Sequence, residues 1–303
     1  MRTIAHISDI HFGAEDPAAV EALRDDLLGE PYDLLVVSGD FTQRARRRQF
    51  EAAKAFIDAL PQPHLYVPGN HDVPLYDVFR RFVKPTGNYR KHVTPDLRPV
   101  FQDDQMLVLG LNTARPISKS INGFWKDGRL SCAQLLDVHL ACLKAPAELF
   151  KVVVTHHPFL PPPDAREHGA VQVEGLDAVP AAKKVSPLVV HGSGRALVTM
   201  EAVGVELLLA GHLHMNYSGD VRSHHEAVRR SILSVQAGTA CSHRRRGEPN
   251  AYNRITIRTA AVDGDNADSV QVQVRTLQDA SFGDGARVRY EKNDAGWTVR
   301  PPE

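Results

Sequence analysis

Cysteine is scarce in this 303-residue chain. There are three, Cys132, Cys142 and Cys241, widely spaced and with no CxxC pair. That excludes a disulfide-stapled scaffold and a thiolate zinc site, and it suits a reducing compartment. Long hydrophobic runs are missing as well. No apolar stretch approaches the roughly 18 residues of a membrane helix, and the segment Met1 to Asp9 lacks the apolar core of a signal peptide. A cytoplasmic protein with no transmembrane segment is therefore expected. An excess of one charge is also lacking, with 36 Lys and Arg against 36 Asp and Glu. A protein that tracks a long polyanion usually carries a basic excess, so no stable nucleic-acid duplex partner is expected.

Histidine, by contrast, is plentiful, with 15 residues. A lone histidine is most often a surface or satisfied core residue, and His6, His64, His92, His139 and His168 are read that way. Six others, His11, His71, His156, His157, His212 and His214, sit in clusters whose position depends on the predicted elements. Thr3 to Ser8 reads as a strand, Asp16-Pro17 as a helix start, and Asp33 to Ser38 as a strand buried on both faces. A basic helical stretch from about Arg44 to Leu60 precedes a strand at His64 to Val67. This order predicts parallel strands with right-handed crossovers. Further strands are read at Met106 to Leu111, Lys151 to Thr155 and Val205 to Ala210, and helices at Ser131 to Leu143 and Ser193 to Val203. From Ile232 the pattern changes to short alternating strands, which predicts an antiparallel tail over 232–303 that forms a second sheet.

No repeat or low-complexity linker divides the chain, so 1–303 is expected to be one domain of two layered sheets. Residues 74–104, with Pro74, Pro85, Pro95 and Pro99, read as an excursion. It would cap the site of its own chain or, in a homo-oligomer, that of a neighbour.

The chemistry-bearing residues fall just beyond strand ends. Asp9-Ile10-His11 ends the first strand, Gly39-Asp40 the second, and Gly69-Asn70-His71-Asp72 the third. His156-His157-Pro158 and Gly211-His212-Leu213-His214 follow two later strands. All five would converge on the carboxyl edge of one sheet, where open α/β sheets hold their ligands. Carboxylate, carboxamide and imidazole groups without thiolate suit hard and borderline divalent cations. A carboxylate such as Asp40 can bridge two of them.

This series, in this order over residues 9–214, resembles the calcineurin-like metallophosphoesterase superfamily. Compact size and short loops resemble its class III cyclic-nucleotide phosphodiesterase and glycerophosphodiesterase branch. The resemblance implies an α/β fold, a four-layer α/β/β/α sandwich of two mixed sheets flanked by helices. It implies two divalent metal ions, Mn, Fe, Zn or Co. Asp9, His11 and His214 would hold one, Asp40 would bridge, and Asn70, His156 and His212 would complete the second. His71 would lie outside the metal shell and protonate the leaving oxygen or stabilise charge on the phosphoryl group, with Asp72 orienting it. His157 is the lesser member of its pair as a ligand and is read, with Arg244, Arg245 and Arg246, as substrate-binding, although those arginines also suit a solvated turn. The basic run Arg44, Arg46, Arg47 and Arg48 is equally well explained as a solvated helix start, and Asn112 and Trp125 as core or loop residues.

The activity implied is hydrolysis of small phosphodiesters, of the cyclic-nucleotide or glycerophosphodiester type, by a metal-activated hydroxide. A phosphomonoesterase or nucleotidase uses the same site. A pyrophosphatase acting on a UDP-linked lipid A precursor is less consistent with His71, because such enzymes tend to have arginine there. Outside enzymes, the alternative is a metal-independent interaction scaffold.

Overall fold

Alternation of side chains along each short strand decides the architecture. The chain opens with β1 (Arg2–Ile7), α1 (Pro17–Gly29), β2 (Leu34–Val37), α2 (Arg47–Asp58) and β3 (His64–Tyr66) in the computed structural model. It describes residues 1–116, 128–163, 189–265 and 267–300. Trp125, His168 and most of the loop expected over 161–190 lie outside them. Asp16 caps α1, its side chain accepting from the Ala18 N–H, and Pro17 takes the first helical position. Next come α3 (Val78–Val83), α4 (Gly87–His92), β4 (Val100–Gln102) and β5 (Met106–Gly110). The second half brings α5 (Cys132–Lys144), β6 (Phe150–Val154), α6 (Ser193–Ala202), β7 (Val205–Ala210), β8 (Tyr217–Asp220) and β9 (Leu233–Gln236). Ser131 caps α5 through the Gln134 N–H, and Gln134 answers through the Ser131 N–H. Last come β10 (Ala251–Arg258), β11 (Ser269–Gln278), β12 (Ser281–Asn293) and β13 (Gly296–Arg300).

Two mixed sheets result. One runs β13-β12-β11-β10-β1-β2-β3 and the other β4-β5-β6-β7-β9-β8. The pairs β1–β2 and β2–β3 are parallel, as are β5–β6, β6–β7 and β7–β9. The tail departs from expectation. β10 to β13 are antiparallel, but they extend the first sheet through β1 rather than forming a separate one, and β9 belongs to the second sheet. The free edge of β1 explains this, since only its other side is taken by β2.

In β1, Ile4 faces the opposite sheet while Ala5 and Ile7 face the helices. In β2, Leu34 and Val36 point inward, and Leu35 and Val37 outward. The inner faces meet in one apolar layer that includes Val108, Val152, Leu207, Leu209 and Ile255. The outer face of the first sheet packs on α1, α2 and α4, and that of the second on α5 and α6. This is the four-layer α/β/β/α sandwich. Segment 74–104 is partly core rather than pure excursion: Tyr89 of α4 is fully buried, its ring 5.6 Å from Phe41, and β4 forms an edge on β5. Among the described residues, no helix is long and apolar enough to cross a membrane.

Leu207 is fully buried between the sheets, whereas Leu143 on α5 is 65% exposed. Leu207→Ala should cost about 2–5 kcal/mol of stability, and Leu143→Ala within about 0.5 kcal/mol of nothing. Urea denaturation of the two variants checks the assignment of the inter-sheet layer.

Candidate metal centre

The five motif clusters do meet, but at the carboxyl ends of both sheets rather than one. Asp9, Asp40 and Asn70 follow β1, β2 and β3 of the first sheet. His156 follows β6, and His212 and His214 follow β7, in the second. Main-chain and side-chain bonds lock the two ends together. The Ser38 carbonyl accepts from His156 Nδ1 at 2.8 Å, and the His212 N–H donates to Asp9 Oδ2 at 2.9 Å. Glycines permit the close approach. Gly39 has a φ of +99°, and a Cβ there would lie 2.6 Å from His156 Nδ1; at Gly211 a Cβ would lie 1.8 Å from Ser8 Oγ.

The backbone is strained where the ligands sit. Among the described residues, seven non-glycine residues have positive φ, and five of them are Asp9 (53°), His11 (44°), Asp40 (54°), His212 (75°) and His214 (58°). Such conformations cost energy and persist where surrounding contacts over-determine them, typically at functional sites. Here they aim side chains inward at the ends of strands whose own direction would carry them past.

The donor atoms form an interlocking set. Asp9 Oδ1 lies 3.2 Å from His214 Nε2 and 3.5 Å from His11 Nε2. Asp40 Oδ2 sits between the two halves, 3.7 Å from His11 Nε2 and 3.4 Å from His156 Nε2. Asn70 Oδ1 is 3.1 Å from His156 Nε2. Three groups have their donor atoms mutually within 4.8 Å: Asp9, His11 and His214; Asp9, Asp40 and His156; and His156, His157 and His212. Two ligands bonded at about 2.1 Å to one cation lie roughly 3.0–3.4 Å apart, so these spacings fit shared coordination.

Two further observations favour a cation. Asp9 Oδ1 is buried without a hydrogen-bond partner, and a carboxylate oxygen in that state carries a large desolvation cost. His11 Nε2 and His214 Nε2 also face each other at 3.4 Å. The opposite ring nitrogens are already engaged. A carbonyl only accepts, so Nδ1 carries the proton where it meets Ser38 O (His156), Thr42 O (His11) and Arg244 O (His214). Each Nε2 is thereby turned toward the cluster, the usual way in which surrounding groups orient metal-ligating imidazoles.

Electrostatics agree. Burial by itself would raise the carboxylate of Asp9, but His214 and His11 hold it well below its ordinary range; for Asp40, His156 and His71 do the same. The partners move oppositely. Burial lowers His156, and Asp40 outweighs it, raising the imidazole to about 9. His214 is raised by Asp9 against its burial. His212, whose edge reaches solvent, is held well below the imidazole range by burial first and then by His157 and His156. The two carboxylates thus favour the protonated forms of His156 and His214.

The remaining predicted residues divide. His71 stands beside the cluster: its Nδ1 donates to Gln43 O at 2.9 Å, and Arg244 Nη1 lies 3.0 Å from its Nε2. Burial and then the His11 and Arg244 charges lower its pKa, against Asp40. The carboxylate of Asp72 accepts from Gly69 N, Phe41 N, Thr42 N and Thr42 Oγ1, tying the turn after β2 to the turn after β3. Burial and the Asp40 charge push Asp72 up to about 7, despite these bonds. His157 is drawn in more closely than its sequence pattern suggested, its Nδ1 2.7 Å from Thr113 Oγ1 and its ring centroid 4.5 Å from that of His212. Of the three arginines, only Arg244 reaches the cluster; Arg245 and Arg246 stay exposed on the turn.

Residues that the motifs did not single out support the site. Ser8 Oγ donates to Asp9 Oδ2 at 2.6 Å, Thr239 Oγ1 lies 2.8 Å from His214 Nδ1, and Gln43 Oε1 accepts from Arg244 at 3.1 Å. Ser8 and Gln43 adjoin motifs and were open to suspicion on that ground. Thr113 and Thr239 carry no local signal.

Comparison with known proteins gives consistent results. The family model described as calcineurin-like phosphoesterase matches residues 2–216. The glycerophosphodiester phosphodiesterase GpdQ of Enterobacter lignolyticus (strain SCF1) is 36% identical over 80 residues, which is 23% of this chain and 29% of that protein. The chain thus matches under a third of the length of that relative. Purple acid phosphatase PPD1 from yellow lupin (Lupinus luteus) seeds superposes with a TM-score of 0.60 at 11% identity, covering 93% of this chain and 52% of that one. At that identity the likeness concerns the fold alone.

Because a cation at this cluster would displace the proton that Asp40 favours on His156, metal uptake should be pH-dependent. The folded pKa of His156, about 9, lies above the unfolded imidazole value of roughly 6.5. Its contribution to metal-free stability is therefore full below about pH 6.5 and lost as pH rises through 9. Thermal unfolding should show Mn²⁺ raising Tm more at pH 8.5 than at pH 6. Equal shifts at the two pH values would contradict the proton-exchange picture.

Proposed function

From the premise that the chain belongs to the calcineurin-like phosphoesterase family, whose model matches residues 2–216, we propose that it is a dinuclear-metal phosphodiesterase acting on small soluble diesters of the cyclic-nucleotide or glycerophosphodiester type. The observation that carries this reading is Asp40, with one oxygen placed between His11 and His156 at 3.7 and 3.4 Å. Asp9, His11 and His214 would hold one cation, and Asn70, His156 and His212 the other, with His157 close enough to join the second set. The short match to a glycerophosphodiester phosphodiesterase supports the diester class. The three free thiols suit a cytoplasmic location.

When bound, the cations supply the Lewis acidity that draws charge from the phosphoryl group and makes water a nucleophile near neutral pH. The protein's own groups do the rest. Arg244 shares its guanidinium between Gln43 Oε1 and His71 Nε2, which fixes its plane and leaves other N–H groups to meet phosphoryl oxygens. His71, held by Gln43 O through Nδ1, presents Nε2 at the same place. A substrate anion that takes up Arg244 removes one of the charges that lower His71, so its Nε2 can carry a proton to the leaving alkoxide. Asp72 keeps both turns in register and so positions His71 through the backbone.

The first measurement is an assay of metal-stripped protein reloaded with Mn²⁺, comparing bis(p-nitrophenyl) phosphate with p-nitrophenyl phosphate. Preference for the diester is expected. Preference for the monoester would replace this reading by a phosphatase or nucleotidase, and inactivity with no metal bound would leave a scaffold. In the same system His71→Ala should lower turnover of alkoxide-leaving diesters by about 100-fold or more, should have a smaller effect on p-nitrophenyl esters, and should leave metal content unchanged. Parallel loss of metal and turnover would remove His71 from its role.

A further inference from the structure

A cavity opens next to the loop whose Gln43 contacts His71 and Arg244. It has a volume of about 450 Å³ and is bounded by the start of α2, the Pro74–Asp77 segment, α3 and α4. That volume is in the range of small-ligand sites. Its lining includes Arg44, Arg46, Arg47, Arg80, Lys91 and His92, with Asp77 as the one acid. Asp77 is already engaged, 3.3 Å from Arg80 Nε and accepting from the Arg80 N–H at 2.9 Å. Arg47 is paired with Glu51 at 2.7 Å, and His92 lies 3.9 Å from the same carboxylate. Among the described residues, Arg44, Arg46 and Lys91 have no carboxylate within ion-pair distance. In a chain of zero net charge, such an excess is local.

The placement of these cations runs against helix electrostatics. Arg46, Arg47 and Arg48 occupy the N-terminal end of α2, whose first turn holds no acid. The positive end of a helix dipole repels cations and attracts anions. The local backbone nonetheless holds the arrangement firmly. Ala45, 4% exposed with a φ of 49°, is buried between two arginines that both line the cavity. Its carbonyl accepts from Asn88 Nδ2 at 2.9 Å, and its N–H donates to Thr42 Oγ1 at 3.0 Å. Gln49 Oε1 accepts from the N–H groups of Arg44 and Arg46. The Arg44 guanidinium also stacks over the Tyr76 ring, 5.0 Å from its centroid.

One loop, Thr42 to Arg46, borders both the cavity and the metal centre. Gln43 touches His71 and Arg244, and the next residue, Arg44, lines the cavity. After the third strand, Asp72 ties down Thr42, and Pro74, two residues on, lines the cavity. We propose that this cavity is a second phosphate-binding subsite, which takes a phosphate group that the substrate carries in addition to the one cleaved at the metal centre. Guanidinium groups match phosphate with a fork of N–H donors, and Lys91 adds a point charge. The inference rests on the phosphodiesterase reading for its statement about substrate, and it narrows that class to diesters bearing a second phosphate.

Isothermal titration of the full metal-loaded chain with thymidine 3′,5′-bisphosphate and with thymidine 5′-monophosphate tests it without turnover. The bisphosphate should bind at least about tenfold tighter, and Arg44→Gln and Lys91→Gln should each reduce that ratio several-fold. Both side chains are exposed, so the variants should fold, which circular dichroism verifies. Equal affinities in the unmodified protein would overturn the proposal. A ratio that survives both substitutions would also overturn it, placing the extra phosphate elsewhere, such as at the Arg245–Arg246 turn. Failure to hydrolyse bis(p-nitrophenyl) phosphate would instead remove the phosphodiesterase reading, while the affinity ratio still decides whether the cavity binds phosphate.

Discussion

Two carboxylates, Asp9 and Asp40, are buried together at the junction of the two sheets, and much of the surrounding structure answers the cost of keeping them there. Each is almost completely withdrawn from solvent, and Asp9 Oδ1 accepts no hydrogen bond. Isolated anions in such surroundings would take up protons. Here imidazoles from both sheets crowd around them, with His11, His156 and His214 turned inward through bonds from their Nδ1 atoms to main-chain carbonyls. The cluster thus gathers the donor groups that could hold a metal ion, beside carboxylates that favour positive charge.

That constraint explains features that would otherwise be costs without return. Five of the residues in the cluster accept left-handed backbone conformations, and a side chain at Gly39 or Gly211 would collide with a neighbouring motif. The sandwich supplies the rigidity that keeps such strain in place. Its inter-sheet layer clamps β1 and β2 against β6 and β7, so the turns at their carboxyl ends face one another across a short gap. Asp72 contributes in the same sense, joining the turns after β2 and β3 through backbone N–H groups. Those bonds fix the turn on which His71 sits.

The same loop that carries part of the wall of the metal centre also carries the basic cavity. Thr42 and Gln43 serve the inner side, and Arg44 and Arg46 the outer. A run of arginines in a sequence is compatible with a solvated helix face, and it became informative only when α3, α4 and the Pro74–Asp77 segment closed a volume around it.

Much was legible from the sequence. The strand ends, the caps at Asp16 and Ser131, and the ligand types at Asp9, His11, Asp40, Asn70, His156, His212 and His214 follow from local pattern, because hydrophobic alternation, capping and donor chemistry are properties of near neighbours. What only the tertiary structure decided depends on residues far apart in the chain. The tail joined the first sheet because β1 has an open edge, and the ligands came from two sheets because the apolar faces of both had to be buried against each other. Arg244, not Arg245 or Arg246, met His71, and Thr113 met His157, through contacts that no spacing along the chain encodes. The sequence by itself determined which atoms could bind a cation; the packing of one sheet on the other determined which of them face the same point.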